Sequence, residues 1–424
     1  MAILLKNGSI IDPVRKTITA ADVLIEQDKI TKIGPNIPED GHQVYDCGGK
    51  MIAPGLVDMH VHLRDPGLTY KEDIATGTAA AAAGGFTSVA CMPNTKPAID
   101  TAETIEYILT KAEKEGSCRV YPIGAVTMGL GCVEPTDITA LYQAGAIAFS
   151  DDGVPITSAT RMRDALMEAK SLNSFVISHC EDGEMVGNKA VNEGKISRQL
   201  GLPGRPAIAE DLMVARDLML SKETGSHVHI AHVSTAGSAD LIRQAKKNGV
   251  HVTAETCPQY FIYTEEEILK KGTMARVNPP LRTEEDKQAI LAAVLDGTLD
   301  CIVTDHAPHS TEEKAKPLPD APSGMVGLET SLAACITHLV APGYLTLPEL
   351  IEKMSTIPAK ILGLQPVLPE EGNLADLFVF DPEETWIVEP ENFRSKARNT
   401  VFIGEQLQGR VHLTICGGKI THQI

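Results

Sequence analysis

Two histidines two residues apart, His60 and His62, close an apolar run in Asp58-Met59-His60-Val61-His62. On a strand, side chains at i and i+2 share a face, and imidazole nitrogen is a preferred zinc ligand. The pair could chelate one ion, although two partly exposed histidines would give the same pattern. Four later apolar runs also end in metal-capable side chains: Ser150-Asp151-Asp152, Ser178-His179-Cys180, Ala231-His232-Val233-Ser234 and Thr304-Asp305-His306. A metal held by such a set polarises a carbonyl and generates hydroxide from water near neutral pH, which is the chemistry of amide hydrolysis.

The elements that must position these side chains follow from the hydrophobic pattern. Strand-like runs are expected near 54–60, 86–91, 119–125, 146–150, 174–179, 227–232, 250–255 and 300–305, separated by Ala-rich or charged helical stretches such as Ala79 to Ala83 and Asp286 to Leu299. Alternating β and α units imply a parallel sheet, and eight of them imply a closed (β/α)8 TIM barrel. Catalytic groups of that fold sit at the C-terminal ends of strands, which is where the five endings fall.

The opening reads as short strands, Ile3 to Asn7 ending at a Gly8 turn and Ala21 to Ile30. Strand signals return in Ala375 to Phe380 and Val411 to Ile415, after a helical stretch near Pro348 to Leu364. Short sheets need partners, so both chain ends are expected to form one small β-sandwich domain, residues 1–50 with 366–424, beside a barrel of residues 51–365. His227, His229 and His251 are read as core or bottom-face residues, and His42, His338, His412 and His422 as surface or packing residues.

Composition excludes several function classes. Thirty-eight Lys and Arg against 56 Asp and Glu give a net charge of −18, without the basic footprint of nucleic-acid binding. An anionic substrate must then meet local positive charge. No run approaches a membrane span, and no basic stretch leads into an apolar segment at the N-terminus, so a cytoplasmic location is expected. Nine cysteines without a Cys-x-x-Cys pair argue for reduced thiols rather than a disulfide framework or a cysteine zinc site.

The sequence resembles the dihydroorotase family, in its class of about 45 kDa, within the amidohydrolase superfamily. The resemblance rests on Asp58-Met59-His60-Val61-His62-Leu63-Arg64-Asp65-Pro66-Gly67, Met92-Pro93-Asn94-Thr95, Phe149 to Gly153, Asn278-Pro279-Pro280-Leu281-Arg282, Thr304 to His309 and Ala321 to Thr330, and runs essentially end to end. It implies one zinc on His60, His62 and Asp305, a second on His179 and His232, and Asp152 reaching both. Many relatives carry a bridging carboxylated lysine, whereas this chain has no lysine between Lys114 and Lys170, which favours an aspartate bridge. Periodicity leaves Asp151 and Asp152 both open as that bridge; the family motif favours Asp152.

The implied reaction is the reversible cyclisation of N-carbamoyl-L-aspartate to L-dihydroorotate plus water in de novo pyrimidine (UMP) biosynthesis, with Asp305 as proton carrier. Arg64, Asn94 and His309 would hold the substrate carboxylate, and Asn278 with Pro322, Ser323 and Gly324 the pyrimidine ring. The stretch from Pro308 to Pro319 reads as a mobile lid or as a disordered surface loop. Gln259 stands where many relatives have histidine and is assigned no metal role. A homodimer and an association with aspartate carbamoyltransferase are the expected partnerships. Competing readings are an allantoinase-type or dihydropyrimidinase-type hydrolase and a non-catalytic scaffold subunit.

Overall fold

The computed structural model describes residues 2–424. Its barrel strands are Leu56–Val61, Phe86–Cys91, Arg119–Pro122, Val176–Ser178, Val228–Ile230, Val252–Thr256 and Cys301–Ile302. The first three pair in order, as do the last four. The fourth barrel position has no extended ladder: Phe149 alone bridges Gly124 on one side and Val176 on the other. Closure comes from the bridge between Val61 and His306, with the His62 amide donating to the His306 carbonyl at 2.8 Å. The seven strands and the Phe149 bridge thus complete an eight-membered (β/α)8 ring.

Most of these strands form because they are short apolar runs buried on both faces, as a parallel sheet covered by helices requires; Arg119–Pro122 alternates between buried and half-buried residues. All six residues of Leu56–Val61 are buried. The intervening helices are stopped and started by local chemistry. Asp73 caps Ile74–Ala83 in a capping box, and Thr235 caps Ala236–Lys247.

Both chain ends meet in one sheet. Its order is Lys419–Gln423, Gln406–Cys416, Leu377–Ile387, Met51–Pro54, Ala2–Asp12, Thr17–Glu26 and Lys29–Gly34, with His42–Asp46 added parallel to Ala2–Asp12. Ile3, Leu5, Val23, Ile52, Leu377, Val379 and Ile415 form its own core. Phe378 and Phe380, the alternate residues of the same strand, join the barrel core instead. The period of two therefore lets one strand serve two cores.

Two expectations for the opening differ from the structure. Asn7-Gly8 is not a turn: the strand runs on to Asp12 through a register shift between Leu5 and Gly8. A Cβ on Gly8 would lie 2.4 Å from Ile52 Cδ1, so the residue is glycine for packing. The run 21–30 is a hairpin, broken at Gln27, whose φ is 57°. Its alternation continues across the turn, which is why it reads as one strand.

Because Phe149 is fully buried and carries the only bridges at the fourth position among the described residues, Phe149→Ala should destabilise by about 3–5 kcal/mol. Chemical denaturation with barrel-helix circular dichroism as readout checks this; a loss below about 1 kcal/mol would contradict the packing account.

Candidate metal centre

At the C-terminal mouth of the ring the strand ends converge. His60 Nε2 lies 3.4 Å from Asp152 Oδ1 and 3.7 Å from Asp305 Oδ1. His62 Nε2 lies 3.1 Å from Asp305 Oδ1 and 3.5 Å from Asp152 Oδ2. The same Asp152 Oδ1 is 3.5 Å from His179 Nδ1 and 3.6 Å from His232 Nε2, and those two nitrogens are 2.8 Å apart. All six side chains are buried. Asp151 points elsewhere: its carboxylate accepts from the Val126 amide at 2.8 Å and the Thr127 amide at 3.0 Å.

The donor set fits metal ions. His60, His62 and Asp305 present ligand atoms within 4.8 Å of one another, as do His60, Asp152 and His232. His60 Nε2 and Asp152 Oδ1 are buried without a hydrogen-bond partner, a condition that costs free energy unless something fills it. Borderline imidazole and carboxylate donors of this kind suit zinc and its neighbours in the first transition row.

Electrostatics point the same way. Burial opposes ionisation of Asp152, yet His60, His179 and His232 hold its carboxyl well below the usual range. Burial likewise opposes a charged His60, but Asp152 and Glu255 raise it well above its ordinary value. His179 is raised to about 10 by Asp152 and Glu181 against the burial penalty. The carboxylates thus draw cationic charge into a buried site, and a metal would take the place of those protons.

Glu255 and Glu210, not singled out from the sequence, and Asn94, expected there only as a substrate contact, hold the cluster in place. Glu255, at the end of Val252–Thr256, accepts from His60 Nδ1 at 2.6 Å and faces His229 Nε2 at 3.1 Å. That fixes the His60 ring with Nε2 toward the mouth, as outer carboxylates do for metal-bound imidazoles. Asn94 Oδ1 does the same for His62 through Nδ1 at 2.7 Å. Glu210 accepts from the Ser234 amide at 3.0 Å and the Thr235 amide at 3.2 Å, anchoring the turn after His232. Glu255 ends the strand expected at 250–255, but only the fold brings it under His60.

Three site residues have left-handed backbones without being glycine: Arg64 (φ 58°), His232 (φ 33°) and Asp305 (φ 48°). Each such conformation costs of order 1–3 kcal/mol and concentrates at functional sites.

Of the expected substrate residues, Arg64 is buried, donates Nε to the Pro308 carbonyl at 3.2 Å, and has no carboxylate ion-pair partner among the described residues. His309 is also buried; Nε2 donates to the Ser323 carbonyl at 2.8 Å and Nδ1 faces Lys71 Nζ at 3.4 Å. Burial, then Arg64, Lys71 and Lys314, push its pKa far down, so this imidazole is neutral. Gly324 (φ 133°) packs there because a Cβ would meet Ala307 Cβ at 2.8 Å. Asn278 Nδ2 is 3.4 Å from His179 Nε2 and donates to Glu181 at 3.3 Å, while its oxygen accepts from Arg205. Ser323 Oγ accepts from Arg276 at 3.3 Å, and the Pro322 carbonyl accepts from Lys314 at 3.1 Å. Gln259 is buried with neither amide atom partnered.

In the structure the 308–319 stretch is an anchored segment rather than a disordered loop. Ser310 caps a helical turn, Thr311–Lys314, in a capping box. Glu313 accepts from Lys71 at 2.9 Å and from Tyr70 at 3.0 Å, and Lys314 Nζ is buried against the carbonyls of Arg276, Pro322 and Gly324. Its charge-rich composition hid these fixed partners.

The pattern of the dihydro-orotase-like family matches residues 49–238. The chain is 47% identical over 417 residues to a dihydroorotase of Acetivibrio thermocellus, covering 98% of each chain. It is 49% identical over 426 residues to one of Syntrophus aciditrophicus, covering 100% of each. Among solved structures it superposes on an L-hydantoinase (dihydropyrimidinase) from Arthrobacter aurescens with a TM-score of 0.87 at 27% identity, over 99% of this chain and 96% of that one.

Metal ligands must shed protons to bind, so metal affinity should rise with pH. In chelator competition, the apparent zinc affinity is expected to strengthen from about pH 6 to about pH 8, and His60→Ala or Asp152→Asn to weaken it by at least about 10-fold. Wild-type affinity in both variants would contradict the assignment of the cluster.

Proposed function

The chain belongs to the dihydroorotase family, and we propose that it interconverts N-carbamoyl-L-aspartate and L-dihydroorotate as a zinc-dependent cyclic amidohydrolase of pyrimidine biosynthesis. His60, His62 and Asp305 would hold one zinc, His179 and His232 a second, with Asp152 between them. When bound, the metal supplies Lewis acidity and lowers the pKa of water.

The protein's own groups do the rest. Asp305, 3.1 Å from His62 Nε2, accepts a proton from the attacking water and delivers it to the departing ring nitrogen; in cyclisation it carries the proton the other way. Substrate recognition is carried by one observation: Arg64 is a buried guanidinium beside the cluster with no carboxylate paired to it. Taking a charge out of water unpaired is expensive, and its planar fork matches a carboxylate. Asn94 directs its oxygen to His62, leaving its amide hydrogens for the same carboxylate. Neutral His309, Asn278 and the 322–324 backbone complete the ring-binding wall.

The hydantoinase-like solved structures keep open a neutral cyclic amide as alternative substrate; the Arg64 cation favours the carboxylated one. The retained ligand set argues against a purely scaffolding subunit. We further propose a cytoplasmic homodimer, able to associate with aspartate carbamoyltransferase, with 1–50 and 366–424 as one structural unit, completed by the sheet strand Met51–Pro54, and the rest of 51–365 as the other. No helix among the described residues is long and apolar enough to cross a membrane.

Asp305→Asn, once its metal content has been measured, should lose about 10²- to 10⁴-fold in kcat; near-normal turnover with full metal would refute the proton-carrier role. Arg64→Ala should raise KM for dihydroorotate by about 10- to 100-fold, the worth of a lost charged hydrogen bond. An unmoved KM would remove Arg64 from the carboxylate site.

A further inference from the structure

Asn399 lies outside the barrel strands, in the segment joining Leu377–Ile387 to Gln406–Cys416 of the terminal sheet. It is nevertheless 2% exposed and spends its whole amide on the mouth of the barrel. Its Oδ1 accepts from the His309 amide at 3.1 Å, and Nδ2 donates to the carbonyls of Ala307 at 3.2 Å and Gly324 at 3.0 Å. Its own carbonyl accepts from the Val326 amide at 2.7 Å.

Those contacts bracket the substrate wall. Ala307 and His309 flank Pro308, whose carbonyl takes the Arg64 Nε. Gly324 abuts the His309 ring, which is itself bonded to the Ser323 carbonyl. One amide therefore fixes the backbone beneath Arg64, His309 and Gly324 together. The same segment docks a second time through Ser395, whose hydroxyl donates to Glu72 Oε2, the oxygen that faces His306 Nε2 at 3.4 Å. No other side chain named at this wall reaches across from the terminal sheet.

We infer that Asn399 is a positioning residue through which the terminal sheet sets the geometry of the carboxylate-binding wall. This rests on the reading that Arg64, His309 and Gly324 face substrate. Buried donors and acceptors left unpaired do not relax cheaply, so losing this amide shifts the wall rather than the metal cluster.

Two variants separate the contacts. Asn399→Ala removes all three hydrogen bonds, whereas Asn399→Asp keeps an acceptor for the His309 amide and loses both donors. In the full chain, both should raise KM for dihydroorotate by roughly 10-fold or more, with kcat and bound metal changed much less. Hydrogen exchange without substrate should show the His309 amide losing protection in Asn399→Ala and keeping it in Asn399→Asp. Wild-type KM in both variants, or lost protection with an unchanged KM, would overturn the positioning role. Should the wild-type chain not turn over dihydroorotate, the functional reading fails separately, and unchanged exchange in Asn399→Ala would still overturn the positioning role.

Discussion

Everything at the barrel mouth depends on a group of buried lone pairs that face one another. His60 Nε2 and Asp152 Oδ1 have no hydrogen-bond partner and are sealed from water. Desolvated polar atoms are unfavourable unless paired, and here the surroundings prevent them from turning away. Glu255 and Asn94 pin the outer nitrogens of His60 and His62. The site is thus built to hold metal, and its protein scaffold supplies the negative charge for it in Asp152 and Asp305.

The same logic of imposed geometry extends outward. Left-handed backbones at Arg64, His232 and Asp305 place side chains where relaxed strands would not. Such conformations persist only if neighbours over-determine them. For Asp305 the closing bridge at His306 does so, and for Arg64 the Pro308 carbonyl does. The terminal sheet is part of this support, because Leu377–Ile387 contributes Phe378 and Phe380 to the barrel core while the following segment brings Asn399 to the mouth.

What could be read without coordinates was whatever is encoded in local periodicity. Most barrel strands are buried apolar runs, and the polar residues that follow the runs at Val61, Phe149, Ser178, Ile230 and Ile302 mark the mouth. The fourth strand was legible for the same reason although only Phe149 makes bridges there. Local alternation misled where a turn preserves it, at Gln27, and where glycine serves packing, at Gly8. The sequence pattern also could not separate Asp151 from Asp152, since the distinction lies in Thr127 and Val126 capturing Asp151. Glu255, Lys71 and Asn399 were missed because their roles depend on partners far along the chain. The 308–319 loop reads as mobile from composition, yet Lys314 is anchored by three carbonyls that no local pattern reveals.

The account joins a metal cluster to a carboxylated cyclic amide, so the most direct test measures both on one preparation: bound metal per chain and interconversion of dihydroorotate and carbamoyl aspartate by the purified protein. The account predicts zinc held by the chain, with dihydroorotate turnover lost on chelation and restored by zinc. A metal-loaded chain that hydrolyses dihydrouracil or hydantoin but leaves dihydroorotate untouched would contradict it.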